Sequence, residues 1–189
     1  MRKIISFMHI SLDGFVAGPN REMNWIKVDQ EIFDHVGKRV SESDTALYGR
    51  FTYEMMENYW PTAGDAPGAS KHDVEHSAWY NNARKIVLSK TMAGTDRDNT
   101  TIISDNLSEK IQEIKQQPGT EILLFGSPTA THVLMQQGLI DGYWLFVNPI
   151  ILGEGIPLFT GSQEKTALKF LASKHFGNGV VALDYLVER

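Results

Sequence analysis

Cysteine is absent from the 189 residues. That excludes disulfides, thiolate nucleophiles and cysteine-bound zinc. A basic excess is missing too. Eighteen Lys and Arg stand against 23 Asp and Glu, a formal charge of −5, so nucleic acid is not an expected partner. No apolar run is long enough for a bilayer. The N-terminal patch behind Arg2 and Lys3 is short and broken by polar residues, which predicts no signal peptide, no membrane segment and a cytoplasmic location. There is no G-x-x-x-x-G-K-[ST], and no G-x-S-x-G. Gly153-x-Gly155 and Gly177-x-Gly179 lack a third glycine at the dinucleotide spacing, so the usual ATPase, serine-hydrolase and doubly wound fingerprints are all excluded. What is present is a 42% hydrophobic chain with 4 Trp, 6 Tyr and 9 Phe. That is enough for one domain over residues 1–189 with a substantial core. No repeat, low-complexity tract or linker interrupts it.

Residues 121–138, E-I-L-L-F-G-S-P-T-A-T-H-V-L-M-Q-Q-G, organise the reading. Ile122 to Phe125 are an apolar run suited to a strand covered on both faces. Gly126 makes the turn, Ser127 is expected as N-cap, Pro128 takes the first helical position, and Gly138 ends the helix. A helix starting directly after a buried strand offers unpaired N–H groups and a positive dipole end, a ready phosphate site.

The same pattern recurs. Residues 45–48 form a strand that runs through Gly49-Arg50 into a helix with Phe51, Met55, Met56 and Tyr59 on one face and Trp60-Pro61 at its end. Arginine at such a turn can meet a phosphate bidentately or make a surface ion pair. Residues 85–89 predict a strand followed by Lys90-Thr91. Residues 3–10 predict the first strand, with two glycine turns after it at Gly14 and Gly18. Residues 29–40, with Ile32, Phe33, Val36 and Val40 at helical spacing, predict an amphipathic helix. Residues 72–82 predict a short helix on which His72 and His76 stand four apart, a spacing open to a metal or to a solvated helix face. Residues 100–103 predict a strand. Asn106 and Glu109 predict a capping box for the next helix, and residues 143–147 a further strand. Residues 168–174 and 180–187 predict a final hairpin about Asn178-Gly179. Strands alternating with helices and closing on a hairpin imply a three-layer α/β/α fold with a mostly parallel mixed sheet and an antiparallel C-terminal edge.

Four stretches in this order resemble the dihydrofolate reductase-like superfamily. They are S-L-D-G-F-V-A-G (residues 11–18), Y-G-R-F-T-Y-E (48–54), V-L-S-K-T (87–91) and the run from Gly126 to Phe159 that begins G-S-P-T-A-T-H. The likeness is greatest to the C-terminal reductase domain of bifunctional riboflavin-biosynthesis proteins and its stand-alone bacterial relatives. The resemblance implies NADPH as hydride donor, a homodimer, and reduction of a C=N or C=O in a pterin-like or ribosylaminopyrimidine substrate. It implies that Ala17 and Gly18 lie along the nicotinamide, and that Gly49, Arg50 and Thr52 hold the pyrophosphate. Ser89, Lys90 and Thr91 would face the 2′-phosphate, with Gly126, Ser127, Pro128 and Thr129 completing the cradle. Relatives usually carry two glycines where Gly126-Ser127 stand here, and an acid where Gly142 stands.

Hydride transfer also needs a proton. Asp13, at the first strand end, and Asp29, on the helix after Trp25, are the candidate donors, with Glu154 able to approach from its glycine loop. On its neighbouring residues alone, Asp13 reads more readily as an Asx turn to Gly14 and Phe15. Acceptor-side side chains are expected from loops such as residues 60–70. A non-catalytic nucleotide-binding module and a metal enzyme built on His72 and His76 are the other readings.

Overall fold

The computed structural model describes residues 1–92, 99–160 and 165–189. Its frame is an eight-stranded sheet made from β1 (Ile4–Ser11), β3 (Thr45–Gly49), β4 (Arg84–Leu88), β5 (Thr100–Ile103), β6 (Ile122–Phe125), β7 (Gly142–Asn148), β9 (Leu168–His175) and β10 (Val181–Val187). The order is β5-β4-β3-β6-β1-β7-β10-β9. The first six strands in that order run parallel, and β10 is antiparallel to both its neighbours. The fold is therefore the expected three-layer α/β with a mostly parallel mixed sheet.

Strand side chains alternate between faces, and the two cores follow that period. Ile4, Met8, Leu47, Ile86, Ile122, Leu124 and Leu145 enter one core, which α5 (Leu107–Gln116) and α6 (Pro128–Gln136) cover with Ile111, Ile114 and Leu134. Ile5, Ala46, Tyr48, Val87, Leu123, Phe125, Trp144 and Phe146 enter the other. This second core lies under α1 (Gln30–Glu42), α2 (Arg50–Glu57), α3 (Trp60–Ala63) and α4 (Lys71–Asn82). Burial on both faces is why β6 reads as an unbroken apolar run.

Helix α1 shows the local logic. Asp29 accepts from the Ile32 amide at 2.9 Å, and Ile32, Val36 and Val40 are buried at helical spacing. Asn106 departs from expectation. It sits in the left-handed region at φ 47 with no side-chain cap, so the predicted capping box with Glu109 does not form. A short antiparallel sheet joins β2 (Phe15–Ala17) to β8 (Ile156–Pro157). Beside it, a side chain on Gly155 would meet the Ala17 carbonyl at 2.2 Å, so the two segments touch backbone to backbone. Gly142 is equally confined: its Cβ would lie 2.6 Å from the Tyr185 carbonyl oxygen. Space, not a polar contact, explains that glycine.

Candidate active site

The parallel strands end along one edge of the sheet, where a crevice opens between the helices that leave it. It holds a cavity of about 1120 Å³, above the roughly 300–1,000 Å³ of a site for one drug-sized ligand. Two neighbouring strand–turn–helix junctions form its back, β3 into α2 and β6 into α6. Neither helix has a side-chain cap or an acid in its first turn. By contrast, α1 and α4 are capped by Asp29 and Ser70. In α6 the Pro128 nitrogen has no hydrogen, and the Thr131 amide already donates to the Ser127 carbonyl at 3.0 Å. That leaves the Thr129 and Ala130 amides as first-turn donors.

Ser127 occupies the N-cap position without capping. Its backbone is left-handed at φ 61, following Gly126 at φ 52. Its hydroxyl turns across to the other junction, accepting from the Gly49 amide at 2.8 Å and meeting Thr52 Oγ1 at 3.1 Å. The expected cap thus becomes a bolt between the two turns. Tertiary hydrogen bonds have displaced the local one.

Among the described residues, three cations stand on this wall: Arg21, Arg50 and Lys90. Arg21 lies over the Phe51 ring at 5.4 Å. Arg50 pairs with Glu54 at 2.7 Å and donates to Thr91 Oγ1 at 2.7 Å, which puts it beside Lys90. Ser89 fixes the turn, its hydroxyl accepting from the Thr91 and Met92 amides at 3.2 and 3.1 Å. A row of positive charge beside two bare helix starts is chemistry suited to a polyanion.

Much of the rest of the wall is apolar, with Ser104, Asp105, Asn106 and Gln137 as polar exceptions. Phe7, Met23, Ile26, Met55, Met56 and Phe125 face the space, together with His9. Burial pushes His9 down to about 4, so its imidazole is neutral at physiological pH. His132 closes the α6 side, its Nε2 donating to the Pro157 and Leu158 carbonyls at 3.0 and 2.9 Å.

Of the expected cofactor residues, Ala17, Gly49, Arg50, Thr52, Ser89, Lys90, Thr91, Gly126, Ser127, Pro128 and Thr129 share this wall, and Gly18 stands just off it beside Ala17. The expected proton donors are elsewhere. Asp13 accepts from the Ser11 hydroxyl at 2.6 Å and from the Leu152 and Gly153 amides at 3.1 and 2.8 Å. The Ser11 bond, helped by those amides, holds its carboxyl below the ordinary range, opposite to what an acid requires. Asp29 caps α1. Neither they nor Glu154 line the cavity, and no residue of the 60–70 loop does so. That loop packs on α4, where Ser77 Oγ donates to the Trp60 carbonyl at 2.7 Å. His72 stacks on Phe33 at 4.1 Å and His76 packs on Trp60 at 4.0 Å. No group of three ligand side chains that could hold a metal occurs among the described residues. Sequence reasoning missed Arg21, His9 and the methionines. Arg21 follows a Gly-Pro-Asn turn, and that turn was the available signal.

The fold and crevice define an open α/β protein with a cation-bearing crevice at the carboxyl ends of its parallel strands. The family model of the RibD C-terminal domain matches residues 2–182, and the chain belongs to that family. It is 32% identical over 187 residues to the uncharacterized protein YyaP of Bacillus subtilis (strain 168), covering 97% of this chain and 94% of that one. A pyrimidine reductase-like protein of Corynebacterium diphtheriae shares the fold at a TM-score of 0.66 and 15% identity, over 100% of this chain and 92% of the other. Acinetobacter baumannii RibD does so at a TM-score of 0.69 and 16% identity, over 100% of this chain and 58% of that longer one. No helix among the described residues is long and apolar enough to cross a membrane.

Proposed function

We propose that the protein is an NADPH-dependent reductase acting on a C=N or C=O in a planar ring, and that it works as a homodimer in the cytoplasm. One observation carries the reading: Arg21, Arg50 and Lys90 stand in a row beside the uncapped starts of α2 and α6. A dinucleotide with a pyrophosphate and a 2′-phosphate suits that charge better than one lacking the 2′-phosphate. When bound, NADPH supplies the hydride. The Thr129 and Ala130 amides and Arg50 would hold the pyrophosphate, Ser89, Lys90 and Thr91 would take the 2′-phosphate, and Ala17 would face the nicotinamide end. Phe7, Met55 and Met56 exclude bulk water from the acceptor. With Asp13 and Asp29 both off the wall, solvent would supply the proton.

Thermal melts test this. NADPH is expected to raise the melting temperature far more than NADH, and Lys90→Ala to weaken NADPH about tenfold, roughly 1.4 kcal/mol, with NADH little changed. Equal shifts for the two cofactors overturn the proposal. A nucleotide-binding module without turnover is the second reading, favoured by the absence of Asp13 and Asp29 from the wall. It predicts NADPH binding with no NADPH consumption across pterin, pyrimidine and quinone acceptors.

A further inference from the structure

The strands that open into the cavity come in a fixed order. Lys90 follows β4, Arg50 follows β3 and the Gly126 turn follows β6, while β1 stands next to β6. Neighbouring strands are about 4.8 Å apart, so three steps carry β1 roughly 14 Å from the Lys90 turn. A dinucleotide held by its phosphates at β4, β3 and β6 would bring its reacting end toward β1. That strand presents Phe7, Met8 and His9 to the cavity, and of these only His9 carries hydrogen-bonding nitrogens. His9 lies opposite Phe146 on β7, and its ring packs on Phe146 at 5.0 Å and on Phe7 at 6.0 Å.

The two ring nitrogens are in different positions. Nδ1 meets Asn148 Nδ2 at 3.4 Å, and the other contacts of that amide fix which way it points. Asn148 is fully buried at the end of β7. Its Oδ1 accepts from the Lys27 amide at 2.8 Å, and its Nδ2 donates to the Phe146 and Ile10 carbonyls at 3.1 and 3.4 Å. An amide NH2 can only donate, so Nδ1 must offer its lone pair, and the single proton of the neutral ring sits on Nε2. Burial holds the ring in that neutral form at physiological pH. Nε2 has no hydrogen-bond partner among the described residues, yet it is not sealed away as His76 Nδ1 is. It is the nitrogen left for the cavity.

Building on the NADPH-reductase reading above, we infer that His9 is a catalytic residue whose Nε2–H donates to the heteroatom of the acceptor's C=N or C=O. As hydride reaches the acceptor carbon, the π pair of that double bond moves onto the nitrogen or oxygen. A donor already in place stabilises the growing negative charge. His9 keeps its own proton, because Asn148 blocks Nδ1 and loss of the Nε2 proton would leave an imidazolate. Solvent then protonates the heteroatom. One NADPH and one proton are used, and NADP⁺ and the reduced acceptor leave.

Nitrogen-15 NMR of histidine-labelled protein reads the tautomer without turnover. The His9 signals, assigned by their loss in His9→Gln, are expected to place the proton on Nε2. Steady-state rates with NADPH then use dihydrofolate, 5-amino-6-(5-phosphoribosylamino)uracil and menadione as probes. With each probe that the wild type reduces, His9→Phe, which keeps a ring beside Phe7 and Phe146, is expected to lower kcat roughly a hundredfold at an unchanged KM for NADPH. His9→Gln, whose side-chain amide supplies N–H donors, is expected to recover about tenfold of that loss. Circular dichroism reports the folding of both variants. A proton on Nδ1, a wild-type kcat in His9→Phe, or equal losses in the two variants overturns the inference and leaves the reductase reading intact. No reduction of any probe by the wild type removes both.

Discussion

His76 shows how a single side chain sets a pH response. Its ring is wedged against Trp60, Trp79 and Phe125, and its Nδ1 is buried without a hydrogen-bond partner among the described residues. Burial, reinforced by His72, pushes it down to about 3, and burial takes His9 to about 4. Both are neutral in the fold, while an unfolded histidine takes its proton near 6.5. Below that pH the unfolded state binds more protons, so stability is complete above about 6.5 and is lost as pH falls toward the lowered values. The slope is up to about 1.4 kcal/mol per pH unit for each group. His76→Phe keeps the packing and removes both the orphan nitrogen and the proton uptake. Urea melts are expected to show undiminished stability at pH 7 and a shallower loss between pH 6.5 and 4.5; a wild-type slope contradicts the assignment. Single residues were legible where the signal was local. Arg50, Lys90 and Gly126 follow buried strands directly, and strand ends line the crevice. Asp13 and Asp29 stand off the wall, which the sequence did not show because a carboxylate's direction is set by tertiary contacts. Arg21 was missed because its partner, Phe51, lies 30 positions away.

Periodicity located nearly every strand and helix, because burial on one face or both leaves its period in the sequence. The caps at Ser127 and Asn106 were not legible, since contacts between elements overrode the local preference. The bolt between the two junctions makes this testable. Gly49 has an ordinary backbone (φ −81), yet a Cβ there would lie 2.3 Å from Ser127 Oγ. Gly49→Ala is expected to destabilise by about 1–3 kcal/mol through overpacking. Ser127→Gly alone loses a hydrogen bond but relaxes a left-handed position. Made together, the two changes relieve the clash, so the double variant is expected to be more stable than the sum of the singles by about 1 kcal/mol. Additivity within about 0.5 kcal/mol in a double-mutant cycle shows that the junctions are not coupled.

At the scale of the molecule, the sheet is unequally clothed. Helices cover it from β5 to β7, while the outer hairpin strand β9 is exposed on nearly all its residues, including Leu168, Phe170 and Leu171. Phe170 and Tyr185 add a ring pair 5.8 Å apart on its flank. An open edge with apolar side chains is a pairing surface that natural proteins seldom leave bare, and it is where the proposed homodimer is expected to meet. Light scattering should give twice the chain mass for the wild type and the chain mass for Phe170→Glu. A dimeric Phe170→Glu variant places the contact elsewhere.

The central position of β1 has a different consequence, one for synthesis. The first strand made is flanked in the finished sheet by β6 and β7. It ends at Ser11, and β7 starts at Gly142. At a translation rate of about 5–20 residues per second, the second neighbour follows after roughly 7–26 s. Until then an apolar strand meant for the middle of the molecule has at least one edge open. Chains released before Gly142 keep that strand without its β7 partner, so a nascent-chain length series should show protease protection of residues 4–11 only after β7 has cleared the ribosome.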